Sequence, residues 1–138
     1  MKKGDQRPFL YDGILFRSTD VVQLFDGELV QDTRNHVSDA VECGAFRHFN
    51  LNLNIDSTST PTDLRIQVQF LDTQSGKWHT YKQGLFASLY YEDTDTASGI
   101  LEMFSGECAG RAMRIVLTGT GTTSSAYFTV SASVEFWG

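Results

Sequence analysis

The run Glu92-Asp93-Thr94-Asp95 is the densest group of potential metal-ligating oxygens in the sequence. Calcium takes about six to eight oxygens, from loops with graded ligand spacing and a fixed glycine. That spacing is missing, so the run reads as a solvated acidic loop, with a cation site as the competing reading. A glycosidase needs two carboxylates that face each other across a cleft, and neighbours in one segment do not meet that need. Cys43 and Cys108 are the only cysteines. There is no C-x-x-C pair, and His36, His48 and His79 lack zinc-ligand spacing. Two reduced, buried thiols are expected. A Cys43–Cys108 bridge would close a long loop and add about 4 kcal/mol, but sequence does not show that the sulfurs meet. No G-x-S-x-G elbow occurs. Gly119 and Gly121 lack the following Lys of a phosphate loop. The expectation is a protein with no catalytic residues, no metal and no cofactor.

Other residues suggest contact rather than catalysis. His48, Asn50, Asn52 and Asn54 alternate with apolar residues, so they share one face of a strand. That face either meets solvent or meets a glycan or another protein; amides defend it less well against association than Lys or Glu would. Trp78, Tyr81, Tyr90 and Tyr91 could stack on a sugar or fill the space between sheets. Phe136 continues an inward set, which turns Trp137 outward as a candidate subunit contact. Lys2, Lys3 and Arg7 are the nearest thing to a cationic cluster.

The elements that must hold these residues are strands. Phe49, Leu51, Leu53 and Ile55 alternate with polar residues, as do Leu64, Ile66, Val68 and Phe70, and again Phe128, Val130, Ala132, Val134 and Phe136. Period-two patterning gives each strand one dry face and one polar face, and two such sheets bury their dry faces together. Further strands are expected at 9–16, broken by Asp12-Gly13, and at 21–25, ended by an Asp26-Gly27 turn. Others are expected at 37–41, 78–82, 86–91, 100–105 and 112–118, with a hairpin turn at 72–76. The reading is all-β: a single-domain, jelly-roll-like β-sandwich of about eight strands over residues 9–138, preceded by an extended arm at 1–8.

Composition limits the function classes. The chain has 138 residues, enough for one domain with its own core. Its net charge of −6 argues against nucleic acid as a partner. No run approaches the roughly 20 apolar residues of a membrane span. The start lacks the apolar stretch of a secretory signal, so synthesis in a cytoplasm is expected.

Two stretches together carry a family resemblance. One is Phe46-Arg47-His48-Phe49-Asn50-Leu51-Asn52-Leu53-Asn54-Ile55-Asp56, followed by Leu64-Arg65-Ile66-Gln67-Val68-Gln69-Phe70 and Ser75-Gly76-Lys77-Trp78. The other is Arg111-Ala112-Met113-Arg114-Ile115-Val116-Leu117-Thr118, followed by the final Val134-Glu135-Phe136-Trp137. Over residues 37–138 the pattern resembles small jelly-roll head decoration (cement) proteins of tailed bacteriophages. The resemblance implies a non-enzymatic virion protein on the capsid exterior, bound to the major capsid protein and favouring a homotrimer. Lys2, Lys3, Arg7, His48, Asn50, Asn52 and Trp137 are then the candidate partner contacts. The unit from Leu64 to Trp78 is also similar to galactose-binding-like sandwiches, which leaves a carbohydrate-binding module as the alternative. A tail or baseplate component would use the same fold.

Overall fold

A computed structural model describes residues 6–11, 14–58 and 60–138, with residues 6–19 described by backbone only. Twelve strands occur among the described residues: β1 Gln6–Tyr11, β2 Ile14–Thr19, β3 Val22–Val30, β4 Asn35–Val37, β5 Val41–Glu42, β6 His48–Thr58, β7 Asp63–Asp72, β8 Lys77–Thr80, β9 Leu89–Glu92, β10 Ile100–Glu107, β11 Ala112–Thr120 and β12 Tyr127–Trp137. This exceeds the expected eight; the single strand expected at 37–41 is instead two short pieces, β4 and β5, with residues 38–40 in neither. Most of the expected arm, residues 1–5, lies outside the described residues.

The strands form two antiparallel six-stranded sheets. In the first, β12 is central: β6 flanks it on one side, β3 on the other, and β10 is the edge beyond β6. β2 pairs with β12 only at Ser18 opposite Trp137, and β1 pairs with β2 along its whole length. In the second sheet β7 and β11 are central, with β8 and β9 beyond β7, and β4 and β5 beyond β11. From β9 onward the chain alternates between sheets, which is the jelly-roll style of winding.

Alternation explains the core. Phe49, Leu51, Leu53, Ile55, Phe128, Val130 and Phe136 point from the first sheet onto Leu64, Ile66, Met113, Ile115 and Leu117 of the second, all essentially buried. Burying each large side chain stabilises the fold by roughly 1.5–3 kcal/mol. At one end the filling is aromatic, with Phe49 contacting Phe70, Tyr81 and Phe86 at centroid distances of 5.7, 5.8 and 5.5 Å.

Three local expectations are corrected. Asp26-Gly27 is not a hairpin turn. β3 runs through it, and the register against β12 slips on either side of Ala132. Gly27 has φ +67°, the conformation a bulge glycine supplies, and its N–H donates to Ser131 Oγ at 2.9 Å. The slip lets consecutive Leu24 and Phe25 both be buried. Residues 84–88 are a 3-10 helix rather than strand, with only Phe86 buried. The acidic run is not an open loop: Asp93–Thr96 makes one helical turn. The hairpin turn at Gly76 has the expected positive φ, +69°. No helix among the described residues is long and apolar enough to cross a membrane.

Candidate functional site

Register across the first sheet brings several candidate contact residues into one row. Arg7 on β1 is opposite Ser18 on β2, Ser18 is opposite Trp137 on β12, Trp137 is opposite His48 on β6, and His48 is opposite Glu107 on β10. The row crosses five strands, about 19 Å at normal strand spacing. For Arg7 this is a register position only. Lys2 and Lys3 lie outside the described residues.

The next rows continue the same outer face. Asn50 faces Glu135 and Ser105, Asn52 faces Ser133 and Met103, and Asn54 faces Ser131 and Leu101. Asn50 is locked, its Nδ2 donating to Glu135 Oε1 at 3.3 Å and its Oδ1 accepting from Ser105 Oγ at 2.6 Å. Leu101 and Met103 are 81% and 65% exposed. They stand on the outer face of an edge strand whose far side pairs with no other strand among the described residues. An unprotected edge with two large apolar side chains is a favoured place for another chain to dock. Sequence reasoning found the Asn ladder but missed Leu101 and Met103, although both break the polar pattern of their strand.

The other candidate groups are structural. In the acidic run, the Glu92 N–H donates to Asp95 Oδ2 at 2.8 Å, which caps the helical turn. Buried Thr96 donates to Ser57 Oγ at 2.8 Å, and Ser57 donates to Asp93 Oδ1 at 2.7 Å. Two of the carboxylates are thus committed to the protein's own donors, and no group of three or more His, Cys, Asp or Glu among the described residues could hold a metal ion. Cys43 and Cys108 are free thiols, and Cys43 Sγ donates to Gly110 O at 3.4 Å. The neighbouring Cys108, and then burial, push the Cys43 thiol up.

The aromatic sugar platform does not form as four residues. Trp78 lies under the Arg114 guanidinium, 4.3 Å from its ring centre. Tyr81 packs in the aromatic cluster, and buried Tyr91 donates its hydroxyl to Glu102 Oε1 at 2.6 Å. Only Tyr90 is free on the surface, at 52% exposure. Sequence reading also gave His36 no role. Its Nδ1 lies 2.8 Å from Glu28 Oε2 and its Nε2 lies 2.9 Å from Asp32 Oδ1, so this buried ring ties the 31–34 connection to β3.

No family model matches the chain, and no curated protein matches it in sequence. Among solved structures it is similar to a family 16 carbohydrate-binding module, at 8% identity and TM-score 0.45 over 87% of this chain and 74% of that one. It is similar to the CBM22-1 xylan-binding domain of Paenibacillus barcinonensis Xyn10C, at 13% identity and TM-score 0.42 over 96% and 80%. It is also similar to a chain of infectious bursal disease virus, at 12% identity and TM-score 0.36 over 97% and 45%. Likenesses this distant carry no weight about binding.

Proposed function

We propose that the protein is a non-enzymatic virion component that binds the outer surface of an assembled phage capsid and ties neighbouring coat subunits together. The observation that carries this reading is the outer face of the first sheet. One register row joins Arg7, Trp137 and His48, and β2 pairs with β12 on that row. Exposed Leu101 and Met103 supply apolar contact beside the amide ladder. The family resemblance over residues 37–138 points the same way.

On this reading the partner is the major capsid protein, the protein itself assembles as trimers, and its place is the capsid exterior after synthesis in the host cytoplasm. Binding the assembled lattice, and not free coat subunits, stabilises the lattice by mass action. Weak contacts repeated by symmetry add as linked binding events.

The test is sedimentation of purified protein with capsids that lack it, and separately with purified tails. Saturation of capsids at a fixed stoichiometry is expected. Leu101→Lys with Met103→Lys, or deletion of residues 1–5, which stops short of β1, should weaken attachment while leaving thermal unfolding nearly unchanged. Saturation of tails alone moves the protein to the tail, and binding to neither abolishes the reading.

A further inference from the structure

The second sheet carries an organised surface of its own, on the opposite side of the sandwich. Strand register sets four side chains in one line: Asn35 on β4 faces Thr118 on β11, Thr118 faces Arg65 on β7, and Arg65 faces Tyr90 on β9. With three strand spacings the line is about 14 Å long. Thr118 Oγ1 donates to Asn35 Oδ1 at 2.7 Å, which fixes the amide and leaves its nitrogen as a donor. Two adjoining clefts share Arg65 and Gln67 as lining. One, of about 230 Å³, is walled by Thr80, Lys82, Ser88 and Tyr90. The other, of about 380 Å³, is walled by Asn35, Asp63, Thr118 and Thr120.

The charges within this surface are arranged by row. Arg65 and Lys82 both line the smaller cleft, which no carboxylate lines. Neither cation is in an ion pair among the described residues. In a chain of net charge −6, two unpaired cations in one acid-free cleft mark a place for an anionic group. The row on the other side of Arg65 is acidic, with Asp63 facing Glu92. A second anion there would be repelled, so the ligand carries its charge at one point and is neutral beyond it.

We propose that this surface binds a saccharide bearing a carboxylate. The acid group sits between Arg65 and Lys82, where a guanidinium can grip it with two parallel hydrogen bonds. A sugar ring lies against Tyr90, the one exposed aromatic on the line. Ring hydroxyls meet Gln67, Asn35 and Thr118, a small set of polar groups that fixes orientation. This site is independent of capsid attachment, because it uses the opposite sheet.

The experiment is a calorimetric and NMR titration of the full chain with a hyaluronan disaccharide, one glucuronate joined to one neutral N-acetylglucosamine. Chitohexaose serves as the neutral probe and polyglutamate as the acidic peptide. Saturable hyaluronan binding is expected, with affinity reduced roughly tenfold or more by Arg65→Ala, since a hydrogen bond to a charged group is lost. Tyr90→Ala should also weaken it, Arg65→Lys should restore it in part, and Arg111→Ala, outside the clefts, should leave it unchanged. Melting temperatures of all variants report that they are folded. Three results overturn the proposal: no saturable hyaluronan binding, equal binding of polyglutamate with no effect of Tyr90→Ala, or equal binding of chitohexaose with no effect of Arg65→Ala.

Discussion

His48 and Trp137 stack with ring centroids 4.2 Å apart and planes 22° from parallel. The stack joins the start of β6 to the end of β12, where the β1–β2 hairpin attaches. The indole Nε1 in this stack is buried and has no hydrogen-bond partner among the described residues. An unsatisfied buried donor costs about 1–3 kcal/mol. Trp137→Phe keeps a ring on His48 and removes the orphan donor, so its melting temperature should equal or exceed that of the parent. Trp137→Ala loses the ring and should cost about 1–2 kcal/mol of apolar burial. A Phe variant as unstable as the Ala variant would show that the indole makes an interaction beyond the stack.

Two glycines should respond very differently to a methyl group. A Cβ on Gly106 would lie 2.7 Å from two ring carbons of Phe49 and 3.2 Å from Phe86. Phe49 is fully buried among other rings and has little room to yield. Gly106→Ala should cost about 1–3 kcal/mol by overpacking. A Cβ on Gly27 would meet nothing within 4 Å. Gly27→Ala should cost only about 1 kcal/mol, from its positive φ. Urea denaturation ranks the pair, and the reverse order would contradict the packing described.

Acid should loosen the 31–34 connection through Asp32. The hydrogen bond from His36 holds the Asp32 carboxyl below the usual range. Its desolvation opposes this, and the Arg34 N–H and the Arg34 and His36 charges assist. Glu28 faces the same imidazole from β3. The folded pKa lies below the unfolded one. The stabilisation is therefore complete above the ordinary carboxylate pKa, about 3.9, and is lost as pH falls through the lowered value. Melting temperature followed from pH 6 downward should fall less steeply for Asp32→Asn than for the parent in the acid range. Parallel curves would remove Asp32 from the acid response.

The two thiols should differ in reactivity. Cys43 is almost fully buried, while Cys108 is partly exposed. The neighbouring Cys108, then burial, raises the Cys43 pKa, and the neighbouring Cys43 lowers that of Cys108. Iodoacetamide on the native protein should label Cys108 first, with Cys43 protected until unfolding. Oxidised glutathione should close a Cys43–Cys108 disulfide, two thiols losing their hydrogens as glutathione disulfide is reduced to two thiols. Mass spectrometry reads the loss of two hydrogens, and the closed loop should add about 4 kcal/mol of stability. Labelling of Cys43 first, or mixed disulfides alone, would contradict this arrangement.

The long strands were legible because local alternation is a property of the segment itself. β6, β7, β11 and β12 lie where the period-two runs predict them, with their apolar sets inward. Asp26-Gly27 misled because a hairpin turn and a bulge both use glycine at positive φ. The choice between them is made by β12, far along the chain. Phe86 sits in an apolar stretch that reads as strand, yet one buried ring in a 3-10 turn satisfies it equally well. The line from Asn35 to Tyr90 was not legible. Alternation says which face a side chain takes, but not which residue of a distant strand stands opposite. The setting of Trp78 was not legible for a related reason, since its cover, Arg114, comes from another strand.

The middle strand of the first sheet is also the last in chain order. A nascent chain emerging from the ribosome therefore has β3 and β6 ready, with nothing between them until residues 127–137 appear. Non-local closure of this kind is slow, and it leaves apolar strand faces uncovered while translation continues. A transcript cut short before β12 yields polypeptide with no way to close its first sheet, fit only for chaperones and proteolysis.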